Sequence, residues 1–295
     1  MNTNYDPGPS LLEAGPHIAR FRDQVVVVKL GGELFDQPGV LERLVPQLAL
    51  LWQTGLRPVV VHGGGKQIDA RCAEGGIAID KRGGRRITSP AVLEVVLEVV
   101  AKELNGRLVA LLREAGVPAR GYGDDAALRA ALRCSRRPPR EVDGEAVDFG
   151  EVGDVEAVNA EAFAADIVAV LPSVGQCAGN SKAEGVLNVN ADSVAAHVAI
   201  ALRAQKLVLV SSVPGVLADL DDEGPICQLA PDEVDTLLAN EGGEVRGGMR
   251  AKLEEARRAI DGGVRQVHVI SGLEPQTLLR EIFTDEGCGT LIAPR

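Results

Sequence analysis

The stretch VVVVKLGGELFD, Val25 to Asp36, decides how this chain is read. Four consecutive β-branched residues suit an interior strand of a parallel sheet, apolar on both faces. The strand ends on Lys29, and lysine is rarely buried without a partner. Gly31 and Gly32 follow, where the missing Cβ lets the backbone turn sharply and approach a ligand closely. A buried strand that ends on a positive charge beside two glycines predicts an anion at its carboxyl end. Gly31 and Gly32 are therefore candidate phosphate-binding residues.

Working outward, further Val/Ile-rich runs read as strands: PVVVH (Pro58–His62), DIVAVL (Asp166–Leu171), LVLVSS (Leu207–Ser212) and QVHVIS (Gln266–Ser271). Amphipathic segments lie between them, the longest being PAVLEVVLEVVAKELNGRLVALLREAG from Pro90 to Gly116. Strands alternating with helices predict right-handed βαβ units, an α/β fold in which a mainly parallel central sheet is covered on both faces. Ligands then bind at the carboxyl ends of the strands, where Lys29 stands. Arg133 to Gly153 departs from this pattern, with Pro138-Pro139, many charges and weak periodicity. It reads as a hairpin or lid between sheet elements. At the amino end, Ser10-Leu-Leu-Glu13 is a capping-box pattern, and Leu11, Ala14, Ile18 and Phe21 form an apolar stripe on the helix it starts. Such a stripe packs either on its own domain or on another subunit.

Composition removes several classes of function. The formal net charge of −11 disfavours nucleic acid, whose phosphates call for clustered Lys and Arg. Aromatics at 3% leave little for base stacking. Five scattered cysteines, with no C-x-x-C pair, argue against a disulfide framework or a zinc site and for a reducing cytosol. No apolar run approaches the roughly 18 residues of a membrane span, and MNTNYDPGPS lacks the marks of a signal peptide. The expectation is a cytoplasmic protein that meets neither membrane nor nucleic acid.

Three motifs carry the chemistry. HGGGKQID (His62–Asp69) places three glycines between a strand and a helix, so that backbone N–H groups face an oxyanion at a helix N-terminus; Gly63, Gly64 and Gly65 are the candidates. The lipase oxyanion reading of HGGG requires a G-x-S-x-G elbow, which is absent, and Gln67 after Lys66 rules out a Walker A loop. Gly121-Tyr-Gly-Asp-Asp-Ala126 fits G-x-G-x-x-A but lacks a convincing preceding strand, and reads as a loop. In GVLNVNAD (Gly185–Asp192), Asn188, Asn190 and Asp192 fall on one side of an extended chain, although Asp192 could serve as a helix N-cap. In EVRGGMRAKLEEARRAI (Glu244–Ile260), Lys252 lies in or near the first turn of a helix, where the helix dipole disfavours a cation unless an anion sits there. No nucleophile triad and no His/Cys metal set is present. These parts suit phosphoryl transfer, which relies on positioning and charge neutralisation.

In this order, KLGG, HGGGKQID, GGRRITSPAVLEVV, VDFGEVGDVEAVN, LNVNAD, KLVLVSSVPGVL, GGMRAKL and EIFTDEGCGTLI resemble the amino-acid kinase superfamily, and within it the N-acetyl-L-glutamate kinases. The resemblance implies a three-layer αβα sandwich and ATP-dependent phosphorylation of the γ-carboxylate of N-acetyl-L-glutamate, the second step of arginine biosynthesis. It implies that Lys29 and Lys252 stabilise the transferring phosphoryl group and that Asp192 orients them. Gly64, Gly65, Arg86, Asn188 and Asn190 would bind substrate, with Arg86 gripping its carboxylate, and Gly31, Gly32 and Gly63 would lie against phosphate. Mg²⁺ would arrive on the nucleotide phosphates, without a protein cage for the metal.

Residues 1–24 would form an oligomerisation helix, 25–199 an acetylglutamate-binding and dimerising lobe, and 200–295 an ATP-binding lobe. SLLEAGPHIARFRDQ (Ser10–Gln24) resembles the extra helix of arginine-inhibited members, which joins dimers into a hexamer. There Lys206, His268, Glu286 and Gly289 would bind L-arginine, and a nitrogen-signalling PII protein is a possible partner. Three departures stand out: Ser211-Ser212 for the usual Thr-Asp, GYGDDAA from Gly121 for a Gly/Ser/Lys loop, and Ser271-Gly-Leu273 for Asp-Gly-Arg. The first two leave open an arginine sensor with weak catalysis, and the basic KRGGRR (Lys81–Arg86) at the substrate lid leaves open a kinase for a related carboxylate such as a carrier-bound aminoadipate.

Overall fold

The computed structural model describes residues 8–83, 85–142, 144–177, 185–217, 224–240, 245 and 247–295. Residues 1–7 of the N-terminal segment, Gly84, Glu244 and Arg246 of the quoted motifs lie outside that range.

The helices are α1 (Leu11–Phe21), α2 (Val40–Gln53), α3 (Gly65–Glu74), α4 (Pro90–Val96), α5 (Asn105–Glu114), α6 (Asp125–Ala131), α7 (Ala191–Ala201), α8 (Pro231–Ala239), α9 (Gly247–Asp261) and α10 (Thr277–Phe283). A π-helical stretch, Leu97–Leu104, joins α4 to α5. The strands are β1 (Val25–Leu30), β2 (Arg57–His62), β3 (Asp80–Arg82), β4 (Arg85–Ile87), β5 (Ala119–Gly121), β6 (Leu132–Arg136), β7 (Arg140–Val142), β8 (Glu145–Val147), β9 (Val152–Val158), β10 (Val168–Pro172), β11 (Val174–Cys177), β12 (Val186–Val189), β13 (Lys206–Ser211), β14 (Gln228–Leu229), β15 (Gln266–Ser271) and β16 (Thr290–Ile292).

The central sheet has the order β14-β16-β15-β13-β1-β2-β10-β5. All its pairings are parallel except β15 with β16. It runs unbroken across the boundary expected near residue 200, because β13 pairs directly with β1. The five strands read from Val/Ile runs are its middle. They are buried on both faces, which is why they read as continuous apolar runs.

Alternation along β1 divides the core. Val26, Val28 and Leu30 pack with α2, α5 and α10, whereas Val27 packs with α7 and α9. Lys29 is two residues from Val27 and shares its face, so the strand delivers the lysine to the α7/α9 side.

Three expectations are corrected, two of them by pairings distant in sequence. The Arg133–Gly153 region is only partly a hairpin: β7 and β8 form one, but β6 joins β9, β11 and β12 in a closed barrel beside the sheet. The Gly121 loop does follow a strand, β5, which pairs β10 at the sheet edge; Asp124 caps the seven-residue helix α6, and Gly121 packs on Asn105. Ser10 caps α1 through Glu13 N as the sequence predicts, and Ala14 and Phe21 are buried, but Leu11 is 87% exposed and leaves the stripe. Among the described residues no helix is long and apolar enough to cross a membrane.

Candidate active site

At the carboxyl ends of β1 and β2 lies a cleft of about 460 Å³. Lys29 enters from β1 and Asp192 from the second position of α7, and both are buried. Lys29 Nζ is 2.8 Å from Asp192 Oδ1, and Lys252 Nζ, from α9, is 4.0 Å from Oδ2. Burial alone would raise the Asp192 carboxyl, but the two ammonium groups hold it below the usual carboxylate range. Burial lowers Lys252, against the pull of Asp192. Two cations around one carboxylate leave an excess positive charge in a partly desolvated site, which favours an incoming anion.

Asp192 is not the N-cap of α7. Asn190 is, its Oδ1 accepting from Ser193 N at 3.0 Å. That frees the Asp192 carboxylate for the lysines, and Asn190 lines the cleft beside it. Asn188 lines the same wall and donates to Thr88 Oγ1 at 3.0 Å.

The glycine turns divide into two groups. Gly31 N donates to Val210 O (2.9 Å) and Gly63 N to Leu30 O (3.3 Å), so neither N–H is available for the phosphate contact expected of it. Both continue the parallel ladder by one residue, a use that residue type alone does not reveal. Among the described residues, no acceptor takes the N–H groups of Gly32, Gly64 or Gly65, and all three line the cleft. Gln67 Nε2 donates to Gly32 O at 2.8 Å and ties the two turns together.

Arg86 Nη2 donates to Gly65 O (2.8 Å) and pairs with Asp69, while its buried Nε has no partner. An unpaired buried guanidinium N–H beside a cleft is a natural carboxylate contact. Asp69 also pairs Lys81 at 2.7 Å, and these two cations hold it below the usual range although burial opposes them. Sequence reading missed the part Asp69 plays, although it lay in the quoted HGGGKQID. It also missed Arg137, which lines the cleft and pairs with Asp154. Arg137 lies in the charged Arg133–Gly153 stretch, and the fold beside the barrel buries it while Arg133, Arg136 and Arg140 stay exposed.

A second cavity, about 230 Å³, opens between α1 and the outer strands. Lys206, His268, Glu286 and Gly289 all line it, together with His17, Arg20 and Phe21 of α1. Lys206 Nζ donates to His268 Nε2 at 3.1 Å, and His268 Nδ1 donates to Glu281. Glu281 Oε2 accepts from Cys288 N (2.7 Å) and Gly289 N (3.1 Å). Burial works against ionisation of Glu281, yet the His268 bond first, and the Cys288 N–H after it, depress its carboxyl to about 2. Burial and the Lys206 charge lower His268, which bridges ammonium and carboxylate as neutral imidazole. Lys206 also lies 4.9 Å from the Phe21 ring centroid, a cation–π contact that ties α1 to the cavity. Glu281 is the residue sequence reading missed here.

Residues 24–271 match the profile of the amino acid kinase family. An acetylglutamate kinase of Myxococcus xanthus is 39% identical, with 99% of this chain and 96% of that protein covered. The chain belongs to the amino acid kinase family. Two solved structures of N-acetylglutamate synthase from Neisseria gonorrhoeae carry the same fold. The complex with coenzyme A and N-acetyl-glutamate superposes with a TM-score of 0.81 at 27% identity, over 97% of this chain and 63% of that one. The complex with coenzyme A and L-arginine gives 0.78 at 25%, over 97% and 65%. The chain thus spans under two thirds of the synthase. As in any amino acid kinase, ATP is the phosphoryl donor expected in the cleft. Among the described residues no group of three His, Cys, Asp or Glu side chains is placed to hold a metal ion.

Proposed function

We propose that this protein transfers the γ-phosphoryl group of ATP to the γ-carboxylate of N-acetyl-L-glutamate, the second step of arginine biosynthesis. The observation that carries the reading is Asp192 held between Lys29 and Lys252 at the floor of a cleft where, among the described residues, the N–H groups of Gly32, Gly64 and Gly65 have no acceptor. The relative named above, nearly full-length and 39% identical, is an acetylglutamate kinase.

Lys29 and Lys252 neutralise charge on the moving phosphoryl group, and Asp192 holds both lysines in register. Gly32, Gly64 and Gly65 offer N–H donors to its oxygens. Arg86 grips the substrate α-carboxylate through its free Nε, and Asn188 and Asn190 contact the remaining polar groups. Mg²⁺ would arrive on the nucleotide phosphates and would supply further charge neutralisation there. The Asp192 carboxylate is already engaged by two lysines, which suits a metal held by the nucleotide. Residues 25–199 bind acetylglutamate and residues 200–295 bind ATP. A cytosolic location accords with five free cysteines.

L-Arginine is the proposed inhibitor at the second cavity. Glu281, Asp285 and Glu286 suit a guanidinium, and Lys206 and Arg20 suit a carboxylate. The synthase structure complexed with L-arginine supports this choice. Leu11 and Leu12, 87% and 91% exposed on α1, favour a second subunit over that helix and hence a dimer or hexamer. A PII protein is a further proposed partner.

The deciding experiment is ADP release with Mg-ATP and N-acetylglutamate, glutamate or aminoadipate, each with and without arginine. Turnover selective for N-acetylglutamate and suppressed by arginine is expected. No turnover with any acceptor, together with tight arginine binding, would replace this reading with a sensor.

A further inference from the structure

His62 ends β2, is fully buried, and faces away from the reacting groups. Alternation explains its direction: Val59 and Val61 pack on the α7/α9 side with Val27, while Val60 packs on the opposite side, and His62 follows Val60. Its ring meets two polar partners there. Nδ1 is 3.2 Å from the Gly63 carbonyl oxygen, and Nε2 is 3.1 Å from Nδ2 of Asn105.

The tautomer follows from a third bond. Asn105 Nδ2 is also 2.9 Å from the Val170 carbonyl oxygen, which can only accept. The group facing Val170 is therefore the NH₂, and its second hydrogen points at His62 Nε2. Nε2 must accept, so the ring proton sits on Nδ1 and is donated to Gly63 O. Burial depresses the imidazole to about 4, which keeps the ring neutral near pH 7 and this tautomer in place.

The Gly63 carbonyl and the Gly64 N–H belong to one planar trans peptide, so they point in opposite directions. Fixing the carbonyl toward His62 turns the Gly64 N–H toward the other face of the sheet, where Lys29 and Asp192 lie. Behind the turn, the π-helical stretch closes the alternative: a Cβ on Gly64 would stand 2.8 Å from both Val100 Cγ2 and Leu104 Cδ1. The same stretch runs directly into Asn105, the first residue of α5, and π-segments recur at functional sites.

We infer that His62, oriented by Asn105, is a positioning residue for phosphoryl transfer: its Nδ1–H clamps the Gly63 carbonyl and thereby aims the Gly64 N–H at the transferred group. This rests on the proposed role of Gly64 as an oxyanion donor. Without the clamp the glycine peptide is free to rotate, and the donor is lost at the moment charge develops.

Two measurements test it. An asparagine amide nitrogen can stand in for Nδ1, whereas glutamine reaches only where Nε2 was. His62→Gln should lower kcat roughly tenfold further than His62→Asn, with little change in KM for N-acetylglutamate. A residue that merely fills space would favour the larger glutamine. Equal kcat in the two variants, or losses that follow melting temperature alone, would overturn the inference. The second measurement needs no turnover: ¹⁵N spectra of histidine-labelled wild-type protein should place the His62 proton on Nδ1 with Nε2 bare. A proton on Nε2 would overturn the clamp even if the kinase reading stood. Conversely, the expected tautomer in a protein without acetylglutamate turnover would locate the failure in the reaction assigned.

Discussion

The backbones of Gly32 and Gly64 are in contact: a Cβ on Gly32 would stand 2.8 Å from both Cα and N of Gly64. The glycine turns that follow β1 and β2 therefore lean on each other, and both line the cleft. Gly32→Ala must push the Gly64 backbone aside, because no flexible side chain is there to yield. A loss of roughly 10²-fold in kcat is expected from a displacement of about 1 Å. Initial rates and a melting curve on the same variant would check it, and unchanged rates would mean that the turns tolerate separation.

Lys29→Ala and Lys252→Ala should each reduce kcat by roughly 10²–10³-fold, the range for removing one preorganised charge contact. Substrate KM should move less. Near-normal turnover in both variants would remove the lysines from the mechanism.

Asp192→Asn acts on stability as well as rate. It leaves two largely buried ammonium groups without their shared carboxylate, a change that costs on the order of 3–5 kcal/mol for a broken buried pair. The midpoint of urea unfolding should fall accordingly. A midpoint within error of wild type would imply that water or a bound anion screens the lysines.

Arg86→Lys keeps the positive charge but loses the fork and the free Nε. The expected outcome is a rise in KM for N-acetylglutamate of roughly tenfold or more, with kcat less affected. A variant with lowered kcat and unchanged KM would place Arg86 at the phosphoryl group instead.

The second cavity has a pH signature. Glu281 has its carboxyl depressed to about 2, so its charge stabilises the fold fully above its unfolded pKa of about 4.5. That contribution is lost as pH falls from about 4.5 toward about 2. The difference in unfolding free energy between wild type and Glu281→Gln should shrink across that window. The same variant should respond weakly to arginine while its basal kcat stays near wild type. Full arginine inhibition in Glu281→Gln would move the effector elsewhere.

Much of the fold was legible because the information is local. A run such as Val25–Val28 needs no distant partner to read as a doubly buried strand, and the Ser10–Glu13 cap lies within one turn. Short strands were harder. β6, β9, β11 and β12 are four to seven residues long and gain their stability from a barrel closed between distant segments. Their local pattern was therefore weak.

For the site, the sequence by itself determined the residue types and their order along the chain: a lysine at a strand end, glycines before a helix, a carboxylate at the start of one helix and a second lysine near the start of another. It also determined, by the period of two, that Lys29 shares a face with Val27. Tertiary structure alone decided which groups are free to act. Gly31 and Gly63 lose their N–H groups to Val210 and Leu30, Asn190 rather than Asp192 caps α7, and Glu281 meets His268. Each of those outcomes is a competition for hydrogen bonds or charge, most of them between residues far apart in the chain. Side-chain period and propensity are properties of neighbours, whereas the availability of a donor depends on every acceptor the fold brings within 3 Å of it.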